Sequence, residues 1–244
     1  MKKLLTIVLG SLLTFGTYAQ ENGESRLKTT FGFESQRVHR GVGFGTSPSI
    51  GGKISYDFCN WFALSSEGIT TTNTSNIGLN SSLENVATIK HKDFNLSVSD
   101  MYFFVNGAEN NYFDYGKSTN HLVNATLKYT KKEDDKNVFY CLAQSTIHKS
   151  DTDENNGLYF EAGYNLTDHL QLTAGYVTDA STFNFRTKEG ITQLGLTACK
   201  DVKIGSEFKP KMSAGLFFNP SYKNVFDVTG LNNNPVQFNV GFSF

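Results

Sequence analysis

The sequence predicts a membrane-embedded, antiparallel, up-and-down β-barrel of about twelve strands behind a cleaved signal peptide. Three observations carry this. The last nine residues alternate strictly: Val236, Phe238, Val240, Phe242 and Phe244 on one face, Gln237, Asn239, Gly241 and Ser243 on the other, the period of a two-faced strand. The final Phe244 closes that strand, as barrels recognised by an outer-membrane insertion machinery often end. The front end reads as a secretory signal, with Lys2 and Lys3 before a short apolar run and Thr17-Tyr18-Ala19 as a cleavage site. The expected division is residues 1–19 as signal peptide and 20–244 as barrel.

Composition agrees. No other segment reaches the roughly 18 apolar residues of a spanning helix. The mean hydropathy of −0.33 suits a barrel, where each lipid-facing residue is offset by a lumen-facing polar one. The 21 Phe, 11 Tyr and 22 Gly fit aromatic girdles and tight turns. A net charge of −1 leaves no basic patch for nucleic acid. Cys59, Cys141 and Cys199 are too few and odd in number for a disulfide framework; a Cys59–Cys199 bridge is the one pairing that strand ends suggest.

Strands are expected near residues 27–40, 48–58, 61–71, 84–91, 94–104, 122–130, 137–146, 158–166, 170–178, 191–200, 212–219 and 236–244. The links between them alternate short and long, as turns and outer loops of a membrane barrel do. The segments at 84–91 and 137–146 alternate least well. Asp100 falls on an apolar face, which calls for a bulge or a different register. An even strand count puts both termini in the periplasm and the long loops outside the cell.

The stretch S-Q-R-V-H-R-G-V-G-F-G-T-S-P from Ser35 to Pro48, followed by S-I-G-G-K-I-S-Y, resembles the opening of TorF-type porins, an uncharacterised family of outer-membrane proteins. Ser35, Val38, Arg40, Gly41 and Pro48 match its pattern, while Arg37 stands where an aromatic is usual and His39 where one is common. The 100–102 and 112–115 segments, His121 and Asn219-Pro220 are similar to bacteroidete members. The resemblance implies a secreted barrel with a pore label and supplies no ligand.

The polar phase of the strands gives the lumen candidates Glu34, Arg40, Lys53, Asp57, Lys128 and Glu161, with Asn95, Ser97, Asn124, Thr126, Gln171, Gln193 and Asn239 beside them. Arg40 either filters anionic solutes or pairs with Glu34, Asp57 or Glu161 and plugs the interior, since a lumen charge needs a partner. Arg37 and His39, on the opposite phase near the outer rim, would meet lipopolysaccharide or reach water. Mixed charge suggests a narrow, weakly selective pore or an ion-paired plug rather than a one-sign ring.

Other features carry less. His148-x-Ser150 has the spacing of a barrel lipase pair, which needs a third orienting group. The acidic loop at 151–157 lacks the glycine and glutamate of a calcium loop. Tyr112-Phe113-Asp114-Tyr115 reads as a ligand platform, an inward constriction or a loop anchor. No motif calls for a cofactor or metal. The expected partners are outer-membrane lipid, lipopolysaccharide, the barrel insertion machinery and small polar solutes. The leading reading is passive passage of such solutes; the second is a closed-lumen surface protein, and the most distant a lipid hydrolase.

Overall fold

A computed structural model describes residues 26–44, 47–72, 79–105, 109–117, 119–134, 136–150, 157–204, 209–226, 231–232 and 234–244, with the backbone alone at 79 and 80. The expected signal peptide lies outside the described residues, as does most of the acidic 151–157 loop.

The described strands are β1 (Leu27–Glu34), β2 (Arg37–His39), β3 (Val42–Phe44), β4 (Ser49–Cys59), β5 (Phe62–Thr71), β6 (Leu79–His91), β7 (Phe94–Val105) and β8 (His121–Glu133). They continue as β9 (Lys136–His148), β10 (Tyr159–Thr167), β11 (Leu170–Val177), β12 (Gly190–Asp201), β13 (Lys211–Phe218), β14 (Leu231–Asn232) and β15 (Val236–Ser243). Twelve of them close a barrel in the order β1-β15-β13-β12-β11-β10-β9-β8-β7-β6-β5-β4, and every sequential neighbour pairs antiparallel. Each of the twelve expected segments overlaps one of the barrel strands, including the two that alternate poorly.

Alternation orients the wall. Phe31, Phe33, Leu96, Leu127, Leu172, Leu216 and Phe238 point outward and stay exposed. A continuous apolar belt around a closed barrel is the lipid face of a membrane-spanning β-barrel. Rings cluster at the short-turn end of that belt, where Tyr56 packs on Phe58 at 4.8 Å and Phe94 on Tyr129 at 5.1 Å. Apolar grooves, such as one of about 550 Å³ beside Phe94, Leu127 and Phe160, lie between side chains of this face and are part of the belt.

The seam runs to the chain end. Gly32, Phe33 and Glu34 face Ser243, Phe242 and Gly241, and Phe31 and Phe244 exchange both backbone bonds, at 2.8 and 2.9 Å. Their rings touch at 5.6 Å.

The first strand corrects the sequence reading. It ends at Glu34, not Arg40. At Ser35 the side-chain hydroxyl accepts the Val240 N–H at 2.9 Å while the Ser35 N–H donates to the Val240 carbonyl at 2.7 Å. The ladder is finished off there and the chain turns into the lumen. Residues 37–44 then form a hairpin, β2 against β3, with His39 facing Val42. Its two turn residues, Arg40 (φ 51°) and Gly41 (φ 77°), are both left-handed, the requirement of a type I′ turn. β14 adds a third short strand on Phe44 and Gly43. This small sheet sits inside the barrel.

Inward-facing glycines make room for inward-facing rings. A Cβ on Gly163 would lie 2.0 Å from the Tyr140 ring, and Cβ atoms on Gly195 and Gly215 would lie 2.9 and 2.5 Å from Phe217. Tyr140 and Phe217 lie over bare backbone, so one side of the lumen is filled by side chains, as expected of small barrels. The high glycine count thus reflects lumen packing as well as turns.

Candidate functional site

The lumen has three parts. At the long-loop end an apolar cluster fills it. Val42 and Phe44 come from the hairpin, Met101, Phe103 and Leu122 from the wall, and Phe183, Phe185 and Val225 from two further connections. The hairpin contributes two side chains, 0% and 3% exposed. Their burial is worth roughly 3–6 kcal/mol, within the range of local opening in folded proteins.

Just inside this cluster lies a guanidinium layer. Arg40 stacks on the Tyr159 ring at 3.6 Å and on Phe183 at 4.7 Å, and donates to Asn184 Oδ1 and Gln144 Oε1. Arg186, fully buried, donates to the carbonyls of Arg40 (3.2 Å) and Thr192 (3.1 Å), while its Nε and Nη1 have no hydrogen-bond partner. Asn219 donates to the Gly41 carbonyl at 3.1 Å. Gly41 is required twice over: its φ is left-handed, and a Cβ would lie 2.3 Å from the Thr192 carbonyl oxygen.

Below the hairpin the β1–β4–β5–β6 side is not filled. A polar cavity of about 400 Å³ is lined by Glu34, Glu67, Glu84, Arg37, Arg40 and Ser99 among others. A second space of about 180 Å³ shares Glu34, Glu67 and Ile69 with it and reaches Lys53 and Ser213. Glu67 and Glu84 face each other across the β5–β6 ladder. Glu67 pairs with Lys53 at 3.7 Å, and Glu84 accepts a hydrogen bond from Ser99. Arg37 reaches over this acidic wall. It donates to Ser82 Oγ at 2.9 Å, covers the Phe44 ring at 4.7 Å and feels the charges of Glu67, Glu34 and Glu84.

The expected lumen residues are therefore divided between these parts. Glu34 and Lys53 line the open cavities. Arg40 belongs to the plug, on a hairpin tip rather than a barrel strand. Glu161 accepts from Tyr140 (2.7 Å), Tyr159 (2.6 Å) and Gln193 (2.9 Å), which ties it into the filled side. Lys128 lies 4.4 Å from the centre of the Tyr140 ring. Asp57 bridges Lys28 at 3.1 Å and Lys90 at 2.7 Å near the short-turn mouth. Glu67, Glu84 and Arg186 were not singled out from the sequence. The two glutamates sit where alternation is blurred by Ser66 and Asn85, small polar residues on the outward phase.

Two expectations at the outer rim are corrected. Arg37 and His39 do not meet the membrane surface, because the hairpin carries them inward. His39 presents its ring to the edges of Phe183 at 5.2 Å and Phe44 at 6.3 Å. Burial, reinforced by Arg40, Arg37 and Arg186, holds its pKa well below the usual histidine range. Asp100 needs no bulge. It faces outward and is covered by the connection between β7 and β8: Tyr115 Oη donates to it at 2.6 Å. That hydrogen bond raises the Tyr115 hydroxyl to about 12. Tyr112 packs against Tyr102 and His121, so the 112–115 run is a loop anchor on the outer wall.

His148 and Ser150 do not form an activated pair. Nε2 of His148 is buried without a hydrogen-bond partner, and the Ser150 hydroxyl donates to the Lys117 carbonyl at 2.7 Å. All three cysteines are free, so the Cys59–Cys199 bridge is not formed.

No protein-family model and no curated protein matches this chain, so the likeness to TorF-type porins rests on the sequence segments named above. Solved structures similar in architecture include the following three. A KdgM porin shares 13% identity at a TM-score of 0.45, with 88% of this chain and 97% of that chain covered. The KdgM porin in complex with disordered oligogalacturonate gives 13% and 0.43 over the same coverage. An outer-membrane channel from Pseudomonas putida F1 gives 11% and 0.45, over 92% of this chain and 99% of that one. At such identities the likeness concerns overall barrel shape.

Proposed function

We propose that this chain is an outer-membrane channel for passive passage of small polar solutes. In this reading both termini are periplasmic, the long loops are extracellular, lipid and lipopolysaccharide surround the apolar belt, and Phe244 is read by the insertion machinery. One observation carries it: the adjoining polar cavities along β1, β4, β5 and β6, walled by Glu34, Glu67, Glu84 and Lys53. A barrel with a purely mechanical role would gain from filling that side as it fills the side around Tyr140 and Phe217. Charged walls at this spacing suit hydrated ions and small polar molecules.

The apolar cluster at the long-loop end favours a second reading, a closed-lumen barrel whose loops meet a partner. Planar-bilayer recording of the purified protein separates the two. Discrete conductance steps that scale with salt are expected for the channel. Their absence at every salt concentration leaves the closed-lumen reading.

A further inference from the structure

We propose that the β2–β3 hairpin is a displaceable gate that holds the lumen shut, latched by Arg37 on the acidic wall, and that the opened lumen prefers cations. The inference rests on the channel reading above.

The hairpin is built as a separable unit. It leaves the wall at Ser35, where a side chain finishes the β1–β15 ladder, and rejoins it at Ser49. Its strands are three residues each, and β14 adds two. The type I′ tip at Arg40-Gly41 is fixed by the hairpin itself, so the hairpin can swing without unfolding. Of the apolar cluster it supplies Val42 and Phe44; Met101, Phe103 and Leu122 stay with the wall.

Its polar contacts are exchangeable. Gln36 donates to Gln237 at 3.0 Å, and Arg40 holds two side-chain amides. All of these groups are neutral or cationic and regain water when the lumen floods.

Charge gives the gate direction. Docked, it brings Arg37, His39 and Arg40 into the lumen beside Glu34, Glu67 and Glu84. Displaced, it removes the Arg37 and Arg40 guanidiniums together. The cavity walls are then left with Glu34, Glu67 and Glu84 against Lys53, an acidic passage that attracts cations.

The test compares three proteins in planar bilayers with potassium chloride: the natural chain, a Val42→Ser/Phe44→Ser variant, and one with residues 37–44 replaced by Gly-Ser-Gly. Barrel folding of each is checked by heat-modifiable migration in gels. The natural chain is expected to be shut most of the time, with brief openings. The double serine variant raises open probability by about tenfold or more, and the hairpin-less variant stays open. In a salt gradient the reversal potential lies on the cation side, and Glu67→Gln/Glu84→Gln in the hairpin-less background moves it towards zero. If all three proteins conduct alike, the gate is overturned while the channel stands. If none conducts although all fold, the channel reading falls and the gate with it. An open state that prefers anions also overturns the inference.

Discussion

On the outer wall of the barrel, Nδ1 of His121 lies 2.7 Å from Oδ1 of Asp100, and Nε2 of the same ring lies 2.5 Å from the Tyr112 carbonyl. Tyr115 stacks on the imidazole at 3.9 Å and donates to the other carboxylate oxygen. A polar cluster on the lipid-facing phase is tolerable because the 109–117 connection folds over it and leaves His121 with no exposure.

His121→Phe should therefore detach this connection. The carboxylate of Asp100 keeps Tyr115 and loses its ring donor, at a cost of roughly 1–3 kcal/mol. Limited proteolysis of protein in detergent should cut within residues 109–117 several times faster than in the natural chain. Equal cleavage rates would show that the clamp does not hold the loop. Asp100→Asn should give a smaller effect, since an amide still accepts from Tyr115.

Lumen packing makes a sharper demand at Gly163. A Cβ there would sit 2.0 Å from the Tyr140 ring, and overpacking of this kind costs about 1–3 kcal/mol. Gly163→Ala should lower the urea midpoint of unfolding in detergent. In a Tyr140→Ala background the same Gly163→Ala change should cost little, because the added methyl then has space. The double-mutant cycle is the measurement, and additive losses would refute the contact.

These two sites also mark what the sequence could and could not disclose. Period-two alternation exposed the wall: most barrel strands lie where apolar and polar residues alternate, because most wall residues face lipid or lumen, and the two poorly alternating segments, 84–91 and 137–146, were placed by their position between neighbouring strands. It failed at 35–44, where V-H-R-G-V carries the two-residue turn signal of a hairpin, with Arg40 in a place where Asn or Asp usually stands. The apparent continuation of β1 into Arg40 arose because the hairpin is also extended and shares its phase. Asp100 looked like a register error for another reason. Its partners His121 and Tyr115 are distant in sequence, and one of them lies in a loop. Inward glycines were legible only as turn formers, since the rings that cover them belong to neighbouring strands.

His39 gives the docked hairpin a pH dependence whose sign follows from burial. Its pKa when docked lies well below that of a water-exposed imidazole, about 6.5, chiefly through desolvation and then through Arg40, Arg37 and Arg186. A depressed histidine stabilises the docked state above about pH 6.5, and that contribution is lost as pH falls through the docked-state pKa. Glu34, Glu67 and Glu84 line the same cavity and moderate the repulsion by the three arginines. Open probability in bilayers should rise from pH 7.5 towards pH 5. His39→Phe, which keeps the ring contacts with Phe44 and Phe183, should flatten that rise. An unchanged pH response in His39→Phe would remove this histidine as its source.

Glu161 and Glu67 separate structure from selectivity, although both are lumen carboxylates. Glu161 is the shared acceptor of Tyr140, Tyr159 and Gln193. Glu161→Ala strands these donors and should lower stability by roughly 1–3 kcal/mol. With its charge turned into the wall, the reversal potential of a hairpin-less barrel should stay put. Glu67 borders both open cavities and has one long ion pair, to Lys53 at 3.7 Å. Ion pairs of that kind contribute little to stability, so Glu67→Gln should leave the unfolding midpoint nearly unchanged while moving the reversal potential towards zero. The reverse pattern, selectivity following Glu161 and stability following Glu67, would mean that solutes travel along the Tyr140 side of the lumen.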